Sequence, residues 1–166
     1  MFDQEYRVCR GWVETIAPGA FSKWLADRRD TKVLWNHNPD IVLGSTANGT
    51  ATLREDGTGL YGTVAINPKD QDAVNAHARV ERRDVTGCSF GFNISKMEES
   101  WDEDGTYRTR ILEVELHEVS PCTFPAYGGT DISARAAADQ NAAQAARNKK
   151  WQERMTARLK GEANGS

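Results

Sequence analysis

Short apolar runs separated by turn signals occupy the chain up to about residue 133, and the pattern then changes to Ala, Gln, Asn, Lys and Arg. Phe21, Trp24, Leu25 and Arg28 recur at helical spacing behind Pro18, which suits a first turn, so residues 18–29 predict a helix. Residues 31–37 predict a strand ending at His37, with Val33 and Trp35 of one parity, followed by a turn at Asn38-Pro39-Asp40. Short strands are expected at Ile41–Leu43 and Thr50–Leu53, and an alternating strand from Leu60 to Ile66. Asn67 as cap and Pro68 as first residue predict a second helix running to about Arg83, with Val74, His77, Ala78 and Glu81 along one face. Residues 84–97 return to strand. A hairpin tip follows at Trp101-Asp102-Glu103-Asp104-Gly105, and a partner strand over 106–119 is ended by Pro121. One long helix is expected from Ser133 to Lys160, with a thin stripe of Trp151, Met155 and Leu159, and a disordered end over 161–166. The body therefore reads as β-rich α+β.

Alternation along the strands sorts side chains onto faces. Near residues 85–94, Thr86, Cys88, Phe90, Phe92 and Ile94 share an apolar face, and Ser89 lies on the other between Gly87 and Gly91. Glycine inside a strand loses stability unless something must approach closely. The two glycines are read as opening a slot over the Ser89 hydroxyl in which an extended substrate could lie. Further on, Leu112, Val114, Leu116 and Glu118 have one parity, and Ile111, Glu113, Glu115, His117 and Val119 the other. Glu118 is thus expected on the buried face, where a carboxylate needs a strong donor such as an imidazole.

Composition narrows the classes. A net charge of −3 over 166 residues supplies no strong field for nucleic acid or an anionic membrane. No apolar run approaches the ~18 residues of a membrane span, and the first residues do not look like a signal peptide. The three cysteines, Cys9, Cys88 and Cys122, lack metal-like spacing and fit a reducing cytoplasm. With only three histidines, His37, His77 and His117, any reaction needing an imidazole must use one of them. A serine hydroxyl needs a base, commonly His, which is usually oriented by an acceptor. Ser89, a histidine and Glu118 offer such a set. Cys88 is a competing nucleophile, but its parity directs it with Phe90 and Phe92 into the core.

Four blocks, in order, carry a resemblance. They are Glu14-Thr15-Ile16-Ala17-Pro18-Gly19-Ala20-Phe21; Leu34-Trp35-Asn36-His37-Asn38-Pro39, followed by Val42-Leu43-Gly44-Ser45-Thr46; Gly87-Cys88-Ser89-Phe90-Gly91-Phe92; and Leu116-His117-Glu118-Val119-Ser120-Pro121-Cys122-Thr123-Phe124-Pro125-Ala126-Tyr127. With these the chain resembles the prohead (capsid maturation) serine proteases of tailed bacteriophages and prophages. The resemblance implies a β-barrel-like antiparallel sheet with surrounding helices, as in the herpesvirus assembly protease, over residues 1–133, with 134–166 as a tail. It implies Ser89 as nucleophile, His37 as general base and Glu118 as third member. His117 competes for the last role, because the herpesvirus relatives use a second histidine, and His77 matches no motif and is read as structural. It implies no metal or organic cofactor, and phage scaffold and major capsid protein as substrates, with possible cleavage of the protease itself. It implies action in the host cytoplasm inside the assembling prohead, with possible self-association and no nucleic-acid or membrane partner. Backbone N–H groups, for which the loop after Glu118 is a source, would form the oxyanion hole. Family members usually begin with a further Gly-Tyr-Ala-type strand that Met1 to Trp12 does not match, so a missing strand and a bare sheet edge are expected. A catalytically inactive prophage remnant, or a chaperone that binds capsid protein, is the alternative.

Overall fold

A single long strand, β8 (Tyr107–Cys122), organises the main sheet of the computed structural model, which describes residues 1–127 and 129–132. The expected helix from Ser133 and the stripe of Trp151, Met155 and Leu159 lie outside the described residues. Strand β7 (Gly87–Trp101) pairs antiparallel with β8 from Gly87↔Cys122 to Trp101↔Tyr107 and so takes one edge along its full length. The other edge is shared. Strand β2 (Trp12–Ile16) pairs parallel with residues 107–111, and β3 (Lys32–Trp35) pairs parallel with Glu118 and Val119. Between them, the chain around the short helix α1 (Ser22–Ala26) supplies the missing partners. Ala17 N–H donates to Ile111 O, Val114 N–H to Ala20 O, and the Thr31 hydroxyl to Leu116 O. The backbone of a buried strand is thus satisfied without a continuous neighbour.

Strand β1 (Tyr6–Cys9) pairs on β2, and β4 (Asn38–Ser45) pairs on β3. A separate hairpin joins β5 (Ala51–Glu55) and β6 (Leu60–Val64). Helix α2 (Gln71–Glu81) precedes β7. Among the described residues the architecture is strand-dominated α+β, but the sheet is neither antiparallel throughout nor closed. Strands β2 and β3 both return parallel to β8 through crossovers, and β1, β4 and β7 end the sheet without pairing to one another.

Two apolar clusters hold this together. Ile16, Ala20, Phe21, Ile111, Val114 and Leu116 form one, with Phe90, Phe92 and Val119 packed on it. Val33, Leu43, Ala51, Ala73 and Ala76 form the other. Helix α2 starts later than the Asn67-Pro68 signal. Asp70 is the cap, its carboxylate accepting from Asp72 N–H and Ala73 N–H, while Asn67 folds its own turn onto Lys69 N–H. Its buried face is Ala73, Ala76 and Val80, and Val74 is exposed.

Candidate active site

The site begins with a turn. Strand β3 stops at Trp35, which pairs with Asn38, so Asn36 and His37 form a two-residue hairpin connection. Both have positive φ, 54° and 61°, as a type I′ turn requires. The expected turn at Asn38-Pro39-Asp40 is instead the start of β4. Asparagine and histidine are among the non-glycine residues that enter the left-handed region most readily, and both are held here by hydrogen bonds. The turn is docked on the end of β8. Asn36 N–H donates to Pro121 O at 2.9 Å, His37 N–H to Ser120 Oγ at 3.3 Å, and Thr123 N–H to Asn36 Oδ1 at 3.3 Å. Pro121 therefore lies within β8 rather than ending it, its carbonyl serving the neighbouring turn.

A bulge then brings Glu118 to the histidine. The register runs Phe92↔Leu116 and Gly91↔Glu118, so His117 is the extra residue. Directly opposed residues point to the same face. Leu116 therefore goes with Phe92 into the core, and Glu118 with Gly91, Ser89 and Ser120 onto the opposite face. This corrects the parity read from the sequence. Glu118 does not share the Leu116 face, and Val119 does. A second irregularity at Leu112 likewise puts Ile111 rather than Leu112 in the core.

On that face Glu118 Oε1 lies 2.7 Å from His37 Nδ1, and Ser120 Oγ–H donates to Glu118 Oε2 at 2.5 Å. A carboxylate only accepts, so Nδ1 carries the proton and Nε2 keeps its lone pair. The Glu118 side chain is 13% exposed and that of His37 44%. His117 is on the other side of this choice, set edge-on to Trp24 with ring centroids 5.9 Å apart. His77 sits on α2, which packs against β4.

Ser89 is paired directly with Ser120 and is only 3% exposed. Its hydroxyl makes no hydrogen bond to His37 or to any other described residue. No side-chain nitrogen or oxygen among the described residues is both sealed from solvent and unpartnered, so the exposure Ser89 retains reaches its oxygen. The structure thus joins His37 to Glu118 and places Ser89 on their face without a bond to either. Such contacts are often loose in an unliganded site. Cys88 is turned to the Phe90 face, and burial pushes its thiol up to about 12, so it holds almost no thiolate at neutral pH.

The glycines around Ser89 do not form an open slot. A Cβ at Gly91 would lie 2.6 Å from Glu118 Oε1, and one at Gly87 would lie 2.6 Å from Pro125 Cγ. Pro121 has no N–H, and Thr123 gives its N–H to Asn36, so neither position has a donor to spare. Two residues of the site escaped the sequence reading, Asn36 and Ser120. The readable signals were the left-handed tendency of Asn beside His37, and a serine two positions past Glu118, on its face. No group of three His, Cys, Asp or Glu side chains among the described residues could hold a metal ion.

The family model described as caudovirus prohead serine protease matches residues 1–145. The chain belongs to this family. It is also 30% identical, over 128 residues, to the prohead protease of Enterobacteria phage HK97. That match covers 76% of this chain and 54% of the relative, so the chain spans about half the length of the curated protein it matches. No solved structure matches it significantly. No helix among the described residues is long and apolar enough to cross a membrane.

Proposed function

We propose that this chain is a serine endopeptidase that cleaves phage scaffold and capsid protein inside the assembling prohead, in the host cytoplasm. The observation that carries this reading is the Glu118–His37 pair, brought by the His117 bulge onto the face of Ser89 in a member of a prohead protease family. In the proposed reaction Ser89 Oγ attacks the scissile carbonyl carbon as His37 Nε2 takes its proton. His37 then gives that proton to the leaving amine as the peptide bond breaks, forming an acyl-enzyme. Water, deprotonated by His37, attacks the ester, releasing the acid and restoring the Ser89 hydroxyl. Glu118 holds the Nδ1–H and offsets the charge of the imidazolium. Cleavage of the protease itself, and kinship with the herpesvirus assembly protease fold, belong to the same proposal. The support for that kinship is the strand-dominated α+β core.

Co-expression with the neighbouring capsid protein, followed by mass spectrometry of the capsid N-terminus, tests the reading. Ser89→Ala is expected to abolish processing while leaving the melting temperature near that of the parent. Normal processing by Ser89→Ala would sink it. The burial of Ser89 and the missing hydrogen bond to His37 favour a second reading, a non-catalytic remnant or chaperone that binds capsid protein. Binding to assembling capsid protein with no cleavage by the unaltered chain would select that reading.

A further inference from the structure

Ser120 lies at the centre of the site's hydrogen bonds, and the reaction just described does not use it. Its residue surface is fully buried. Its hydroxyl proton goes to Glu118 Oε2 at 2.5 Å, and its oxygen accepts His37 N–H at 3.3 Å. One donor and one accepted bond are within the capacity of a hydroxyl. The other Glu118 oxygen meets His37 Nδ1 at 2.7 Å. A ring therefore closes from the His37 backbone through Ser120 and Glu118 to the His37 imidazole. Ser120 is no rival nucleophile, since it is shut from solvent and its proton is committed.

We propose that Ser120 is a positioning residue that locks Glu118 and the His37 turn to each other, an inference that rests on the serine endopeptidase reading. Glu118 is a flexible side chain. Held at one oxygen only, its carboxylate could pivot and carry the imidazole with it. Held at both, it presents Oε1 in one place. The His37 side chain is 44% exposed, and its aim depends on that oxygen and on its backbone. Ser120 fixes both at once. Small errors in the placement of a base are costly, on the order of a hundredfold in rate for about 1 Å.

A fluorophosphonate probe on the full chain tests this without the natural substrate. Its phosphorus bonds to Ser89 Oγ, fluoride leaves, and the hydroxyl proton passes to His37. Ser120→Ala is expected to slow labelling about ten- to hundredfold, with the loss in the bond-forming step and the probe affinity unchanged. Ser120→Thr, which keeps the hydroxyl, is expected to regain most of the rate. A purely structural role would lower the melting temperature of both variants and leave the saturating rate intact. Wild-type labelling by Ser120→Ala, or equal losses in Ala and Thr variants of equal thermal stability, overturns the inference. The two levels separate cleanly. Labelling that needs Ser89 and His37 but not Ser120 removes this inference alone, whereas an unaltered chain that is not labelled at Ser89 removes the endopeptidase reading with it.

Discussion

Gly91 and Gly87 flank Ser89 with the same chemistry and opposite consequences. At Gly91 an added Cβ would sit 2.6 Å from Glu118 Oε1 and 3.2 Å from its Cγ. Those atoms belong to a flexible side chain that can swing aside, so the fold absorbs the change. The atom that moves, however, is the one that holds His37 Nδ1. Gly91→Ala is therefore expected to alter stability by less than about 1 kcal/mol in urea titration and, on the proposed endopeptidase reading, to slow capsid-protein cleavage about a hundredfold. At Gly87 the added Cβ would meet the Pro125 ring at 2.6, 3.0 and 3.3 Å. A proline ring has no rotamer to escape into, so Gly87→Ala is expected to cost about 1–3 kcal/mol of folding stability, read in the same titration. Equal losses of stability in the two variants would contradict this contrast. The glycine spacing around Ser89 was visible in the sequence as a demand for close approach. What approaches was not, because both occupants come from the segment 118–125, distant in sequence and brought beside β7 by the pairing of β8 and by the chain that follows it.

At the scale of elements, the sequence carried the order of strands from β3 to β8 and the two helices, but it missed β1 and β2 and misplaced element ends and one strand's faces. Alternation is a reliable guide only while the ladder is regular. The extra residue at His117 turns Glu118 away from the Leu116 face, and the irregularity at Leu112 moves Ile111 into the core. Nothing in the local run Leu116-His117-Glu118-Val119 signals a bulge, because its cause lies in the partner strand and in the turn that docks beside it. The structure sets Glu118 Oε1 against His37 Nδ1, and the buried-face reasoning that favoured Glu118 over His117 does not hold. The edge of β8 between β2 and β3 was illegible for a similar reason, since its partners come from the chain around α1. Thr31 shows how much one side chain does there. Its hydroxyl oxygen accepts from Trp24 Nε1–H at 2.9 Å and its proton goes to Leu116 O at 3.0 Å, all but sealed from water. Thr31→Val keeps the shape and removes both bonds, leaving an indole N–H and a strand carbonyl without that partner. A loss of about 1–3 kcal/mol in denaturant midpoint stability is expected, and a change within error would show that water replaces the hydroxyl.

At the scale of the whole molecule, Asp30 is an acid-sensitive polar tie between distant parts of the chain. It lies between α1 and β3 and binds the far end of β4. Lys32 Nζ lies 2.6 Å away, Ser45 Oγ–H donates at 2.7 Å, and Ala47 N–H donates at 3.1 Å. The Lys32 contact first, then the Ser45 hydroxyl, hold its carboxyl well below the usual carboxylate range, against a smaller opposing effect of burial. The folded chain therefore prefers Asp30 ionised more strongly than the unfolded chain does. That preference stabilises the fold above the unfolded value, about pH 4, and is lost as pH falls toward the much lower folded value. The side chain is 35% exposed, so solvent screening limits the contribution to less than about 1 kcal/mol. Asp30→Asn is expected to lower the melting temperature at neutral pH, where the charge is missing only in the variant. The gap between the two proteins should narrow as both are titrated below about pH 4, because the unfolded parent then takes up a proton that the folded one still excludes. Thermal unfolding of both across that range decides it: a gap that stays constant would mean that Asp30 acts through shape and neutral hydrogen bonding, not through its charge.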